Sequence, residues 1–181
     1  MAKKSSAKFN IKGLQVIQES LKKMEDGGYH IQVGIFGSKT GRRKGEVTNA
    51  EVGFVHEMGS VTRGIPRRSF LWATFADHGA ELMKSIEPGT MKLFKEGKVS
   101  EYLKLAAKAA ENLVQKAFDT GGFGAWAPLK YETLLGKLKG SLKKRMHQAR
   151  EQEIAGTQHS QILVNTAQLR RAVASRVVGK A

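Results

Sequence analysis

Cysteine is missing from all 181 residues, which excludes a disulfide framework and any metal site held by thiolates. That fits a reducing cytosol. Acidic residues are scarce: 16 Asp and Glu stand against 31 Lys and Arg, for a formal charge of +15. No apolar run approaches the ~20 residues that span a bilayer. The basic start Met1-Ala-Lys-Lys-Ser-Ser is followed by neither an apolar core nor a small-residue cleavage site. The expectation is a soluble protein without an export signal, acting away from membranes.

What is present suits a packed domain. Hydrophobic residues make up 40% of the chain and charged residues 26%, far from a disordered composition. The length points to one domain with room for an extended arm. The positive surplus raises the local concentration of anions and favours nucleic acid, an anionic membrane or an acidic protein. Because basic residues run from Lys3 to Lys180, the surplus is not one detachable tail.

Residues 1–9 read as a flexible basic arm, and residues 10–181 as a single α+β domain. Asn10 is a good N-cap, and Ile11, Leu14, Ile17, Leu21 and Met24 recur at helical spacing until Gly27-Gly28. Tyr29, Ile31, Val33 and Ile35 alternate with period two, which predicts a strand. Residues 37–47 form a glycine- and base-rich loop. Thr48 with Glu51 matches a capping box for a short helix, Asn49 to Met58, ended by Gly59. A second basic loop, Ser60 to Arg68, leads to a helix over Ser69–Ile86 that Pro88-Gly89 breaks.

Ser100 is expected to cap the next helix, whose stripe is Leu103, Ala106, Ala107, Ala110, Val114 and Ala117. A glycine loop at 119–128 carries two aromatics. Tyr131, Leu135, Leu138, Leu142 and Met146 suggest a further helix. Residues 148–161 read as a polar excursion, Ile162–Val164 as a short apolar run, Thr166 as the cap of a single turn, and Val173–Val178 as strand. The sum is a small β-sheet packed with several helices and exposed loops.

Catalytic motifs fare poorly. His56-Glu57 lacks the second His that a zinc protease needs four residues after the first; position 60 is Ser60. Gly34 to Thr40 faintly resembles a phosphate loop, but Ser38 stands where Gly must precede Lys-Thr. No paired carboxylates, metal-ligand spacing or nucleophile elbow follows, so neither an enzyme nor a cofactor is expected. The basic clusters carry more information. Arg42, Arg43 and Lys44, with Arg63, Arg67 and Arg68, lie in glycine-bearing loops; Lys143–Arg145 and Arg170-Arg171 add others. Contacts within a protein assembly are favoured over nucleic acid, since no base-stacking aromatics interleave with these clusters.

Two segments resemble a known family. His56-Glu57-Met58-Gly59-Ser60 followed by Ile65-Pro66-Arg67-Arg68-Ser69-Phe70-Leu71 is similar to the "His-Glu-Phe-Gly … Ile-Pro-Ala-Arg-Pro-Phe-Leu" signature of virion morphogenesis and tail-completion proteins of tailed bacteriophages. Trp126-Ala-Pro128-Leu129, then Thr133, then Leu163-Val-Asn-Thr166-Ala167-Gln-Leu169-Arg170 resembles that family's "Trp-x-Pro-Leu … Thr" and "Leu-Val-Asp-Thr-Gly-Gln-Leu-Arg" elements. The order agrees over about residues 48–178. Arg68 and Ser69 replace the usual Ala/Arg-Pro pair, and Ala167 stands where Gly is usual. In these motifs Pro66 fixes an extended entry to the next helix, Phe70 and Leu71 anchor it, and Trp126 pins the glycine loop.

The resemblance implies a non-enzymatic α+β protein of the virion tail or neck, assembled in the host cytoplasm. It would work in tail completion or head–tail joining by shape and charge. Its expected partners are other virion proteins (neck, connector, tail-tube or tail-terminator subunits) and copies of itself, in a ring that is sixfold by analogy, with non-specific DNA contact as an addition. The basic loops 37–47 and 60–68 are the expected contact surfaces. A basic nucleic-acid-binding protein, a minor tail or baseplate component and a metal-dependent nuclease are the alternatives.

Overall fold

The computed structural model describes residues 11–37, 47–129 and 167–179. The basic arm 1–9, Asn10, the Arg42–Lys44 cluster, the expected helix at 131–146 with Lys143–Arg145, the excursion 148–161, the run 162–164 and Thr166 lie outside them. The described residues form an α+β fold of five helices and a two-stranded antiparallel sheet.

Helix α1 covers Ile11–Gly27. It ends as its glycines predict: Gly28 takes φ 53, its N–H donates to Glu25 O, and the Tyr29 N–H donates to Met24 O, the paired closure of a Schellman turn. The buried face differs from the apolar spacing. Leu14 and Leu21 are exposed, while Ser20 is buried and donates from Oγ to Phe94 O at 3.2 Å. A hydroxyl that satisfies a helix carbonyl inside the contact displaces the leucine stripe outward.

Strand β1, His30–Ile35, pairs with β2, Val173–Val178, in a register running from His30↔Val178 to Ile35↔Val173. Two strands alone are marginal in water, and here the ribbon lies on the helix Val99–Thr120, α4. Glu111 of that helix accepts from Ser175 N (2.9 Å) and Ser175 Oγ (3.0 Å) while also taking Lys108 Nζ. Burial works to raise the Glu111 carboxyl, but the hydrogen bonds from Lys108 and Ser175 outweigh it and hold it below its ordinary value. A depressed carboxylate stabilises the fold above its unfolded value, about 4.3, and that contribution is lost as pH falls through the folded value. The stability gap between the wild type and Glu111→Gln is therefore expected to close as thermal melts are taken from pH 7 to pH 3. A gap that stays constant over that range sinks the assignment.

Helix α2, Asn49–Met58, opens on the expected capping box. Glu51 N donates to Thr48 Oγ1 at 3.2 Å and Thr48 N donates to Glu51 Oε2 at 2.7 Å. Helix α3 departs from expectation at both ends. It runs Trp72–Lys95, starting after Ser69 and passing straight through Pro88. A helical proline forfeits one backbone bond and crowds the preceding turn, at about 3 kcal/mol. Contacts with other segments beyond it hold the helix nevertheless: Ser20 of α1 donates to Phe94 O, and buried Phe94 packs on Tyr102 at 5.5 Å between ring centroids. Within the helix, Thr90 Oγ1 donates to Ile86 O (2.9 Å) and Glu87 O (3.3 Å). These anchors win over the local penalty.

Helix α4, Val99–Thr120, starts one residue before the predicted cap: Lys98 holds the N-cap position, without a side-chain cap, and Ser100 lies inside the helix. Gly97 at φ 74 makes the tight α3–α4 turn, so turn geometry, not capping, sets this start. Of the alanine stripe, Leu103, Ala106, Ala107, Val114 and Ala117 are buried and Ala110 is half-buried, and Phe118 joins the buried face. Helix α5, Gln168–Ala172, precedes β2.

The core gathers distant segments. Phe70, Val114, Ala117, Phe118, Trp126, Leu169 and Val173 cluster, with Val33, Ile35, Val52, Leu71, Phe75 and Phe123 against them. Phe118 bridges the rings, 5.0 Å from Phe70 and 5.8 Å edge-on from Trp126. Among the described residues no helix is long and apolar enough to cross a membrane.

Candidate functional site

The corner where α2 ends and α3 begins is organised by one carboxylate. Glu57 sits in the last turn of α2, and its side chain reaches the start of α3. Its Oε2 accepts from Phe70 N (2.9 Å) and Leu71 N (3.0 Å); its Oε1 accepts from Trp72 N (2.9 Å) and Ser69 Oγ (2.5 Å). The first amides of a helix have no partner within it and carry a partial positive charge. A carboxylate there answers both needs. Ser69 Oγ in turn accepts from Ala73 N at 2.9 Å. Ser69 thus adds a second acceptor at the start of the helix.

The loop between the helices folds back on itself through Ser60↔Ile65. Gly59 takes φ 76, and a Cβ built there would stand 2.9 Å from Arg67 N. Gly59→Ala is expected to destabilise by about 1–3 kcal/mol, read as a lower urea midpoint at an unchanged m-value. No change would mean the turn relaxes at little cost.

Arg68, expected in a contact surface, is instead 5% exposed. Its backbone N–H donates to His56 O at 2.7 Å. Its guanidinium donates to Ala127 O (Nε 3.3 Å, Nη2 3.2 Å) and Pro128 O (3.3 Å). The planar fork matches two adjacent carbonyls, which ties the 60–68 loop to the segment after the glycine loop. Trp126 completes the joint by donating from Nε1 to Ser69 O at 3.2 Å, across 57 residues of sequence. Its indole lies over Gly122, where a Cβ would come within 2.2 Å of Nε1.

His56 lies at the same joint. Burial first, and the nearby Arg68 charge second, hold its imidazole below the ordinary histidine value. Its Nδ1 is buried without a hydrogen-bond partner among the described residues. Leu169 reaches the joint from the other side, its Cδ1 being 3.3 Å from where a Cβ on Gly53 would stand. Pro66 and Leu129 are half-buried at the ends of the two segments and Leu71 packs on the core, while Pro128 keeps its ring exposed. Ala167 takes φ 54, the left-handed region that favours glycine. Ala167→Gly is expected to stabilise by about 1 kcal/mol, seen as a raised melting temperature; a lowered one would contradict the strain.

Arg63 and Arg67 do face solvent, with Arg67 Nε donating to Glu57 O at 3.1 Å. Arg170 does not join them. It pairs with Asp119 and exchanges hydrogen bonds with Gln115, fastening α5 to α4. The structure also uncovers residues that sequence pattern did not single out. Phe54 (68%), Met58 (60%), Val61 (99%) and Trp72 (73%) are exposed around this corner. A groove of about 380 Å³ adjoins it, lined by Arg67, Trp72, Asp77, His78, Phe123 and Trp126 among others. The fold therefore sets an aromatic beside a basic residue where the linear sequence showed no interleaving. Helical phase could have flagged Phe54 and Met58, which share a face; nothing local marks Trp72.

The described residues include no group of three or more His, Cys, Asp or Glu placed to hold a metal. Compared with family models, curated proteins and solved structures, the chain matches none.

Proposed function

We propose that this chain is a non-catalytic structural protein of a tailed-phage particle, completing the tail or joining it to the head. One observation carries the reading. The two segments that resemble the tail-completion family form one joint, with Arg68 on the Ala127 and Pro128 carbonyls and Trp126 on Ser69 O. In that joint the polar groups of the motif serve the fold: the Glu57 carboxylate is engaged as a helix cap. Such residues recur in a family because they build a shape, and a shape with a +15 charge acts by assembly. The chain works as copies in a ring, sixfold by analogy, against neck, connector or tail-tube subunits, because a head-to-tail interface that closes is the simplest way to repeat one small protein around a tail.

Mass spectrometry of purified particles tests this directly. The chain should be present at a few copies per particle, and removing its gene should leave heads and tails unjoined. Normal particles that lack it would end the reading. A second reading, binding of nucleic acid, draws on the charge and on Trp72 beside Arg67. It predicts sequence-independent DNA affinity that falls steeply between 50 and 200 mM salt, on the order of 10³-fold or more.

A further inference from the structure

We infer that the outward face of α2, the tip of the 60–65 turn and Trp72 together dock an acidic protein that is not another copy of this chain. The inference rests on the reading that the protein works by assembly. Four large apolar side chains stand clear of the surface here: Phe54 and Met58 one helical turn apart on α2, Val61 at the turn tip and Trp72 at the head of α3. Aromatics, Met and Arg are the side chains enriched at the centres of protein interfaces.

These anchors are held in place before any partner arrives. The Thr48–Glu51 capping box fixes one end of α2, and Glu57 ties its other end to the backbone of Trp72. Pre-ordered anchors lose less entropy on binding. The charged groups around them select the partner. Arg63 and Arg67 are exposed and Arg68 is buried beside them; Glu51 and Glu57 keep their charge while accepting from Thr48 and from α3. The chain as a whole carries +15, and a second copy would bring another +15 against it. Acidic protein is favoured over phosphate or anionic lipid because Glu51 is exposed on the same face of α2. Its carboxylate repels phosphate and lipid headgroups, whereas a protein can place a donor against it. Nor does a phosphate backbone offer apolar surface to Phe54, Met58 and Val61.

The test places the photo-crosslinker p-benzoylphenylalanine at Phe54 or, as a control, at exposed Leu105 on α4, in the full chain during particle assembly. Adducts are identified by peptide mass spectrometry. The expected result is one adduct at position 54 and none at 105, with a protein of net negative charge. The double variant Arg63→Glu/Arg67→Glu should lower its yield at least tenfold while the purified chain still melts cooperatively, the loss of the Arg67–Glu57 O bond lowering the melting temperature only slightly. An adduct with a second copy of this chain, with nucleic acid or with a basic protein overturns the inference, as does an adduct indifferent to the double variant or equal at the two positions. Flotation of the purified chain with phosphatidylserine vesicles that is lost in Phe54→Asp overturns it too. Absence of the chain from purified particles sinks the phage reading alone. Presence in particles with no adduct at 54 sinks this inference alone.

Discussion

Glu57→Ala should cost the fold about 2–4 kcal/mol, the loss being concentrated at the start of α3. Hydrogen bonds to a charged group contribute about 1.5–3 kcal/mol each in favourable cases, and they are not additive. A helix cap alone contributes about 0.5–2 kcal/mol. Glu57 serves three backbone amides and one hydroxyl at once, so the total exceeds an ordinary cap and falls short of the sum. The alanine variant leaves those donors facing a half-buried hollow. Glu57→Gln tests the electrostatic part, since it keeps one acceptor oxygen but turns an NH₂ toward the donors; about half the loss or more is expected to remain. Urea titration gives the magnitude, and hydrogen exchange at Phe70, Leu71 and Trp72 gives the location. A loss below about 0.5 kcal/mol, within the range of ordinary surface substitutions, would refute the cap. So would protection at these amides equal to that of the wild type.

Trp126→Ala is expected to do at least as much damage, about 3–5 kcal/mol. The indole fills the core beside Phe118 and is 9% exposed, so its removal leaves a cavity as well as an unpaired Ser69 carbonyl. Trp126→Phe separates the two effects. It retains most of the apolar volume and loses the hydrogen bond to Ser69 O, so a smaller loss of about 1–2 kcal/mol is expected. The chain has two tryptophans, and they report on different places. The wild-type emission should sum a red, quencher-accessible component from exposed Trp72 and a blue, protected one from Trp126. In Trp126→Phe only the red component should remain. If instead the blue component survives, the buried indole is not Trp126 and the two motif segments do not meet through it.

Elements governed by neighbouring residues are legible in the amino-acid sequence. The capping box of α2, the Gly27-Gly28 stop, the period-two strand and the alanine face of α4 each depend on side chains within a few positions of the backbone they direct, and each stands where local pattern puts it. The elements that depart from local pattern share a different cause. Pro88 is a break by local rule, yet the contacts of Phe94 with Ser20 and Tyr102 carry the helix through it. Leu14 and Leu21 fit an apolar stripe, yet Ser20 finds a carbonyl on another helix. Arg68 belongs by sequence to a basic surface cluster, yet two carbonyls from beyond the glycine loop meet its guanidinium.

The same division runs through the candidate site. Its residue types are visible in the sequence, and so is the improbability of metal-protease or phosphate-loop chemistry, because those chemistries need fixed spacings that a sequence displays. Two things are beyond its reach: that Glu57 caps a helix thirteen and more residues away, and that Phe54, Met58, Val61 and Trp72 are left uncovered. Exposure and long-range capping are properties of which surfaces meet. Composition and periodicity set the helices, the strands and the sign of the charge. Only the closing of the core around Phe70, Phe118 and Trp126 decides which polar groups turn inward as fasteners and which apolar ones remain outside, because burial is allotted by the packing of distant segments and no single segment carries that information.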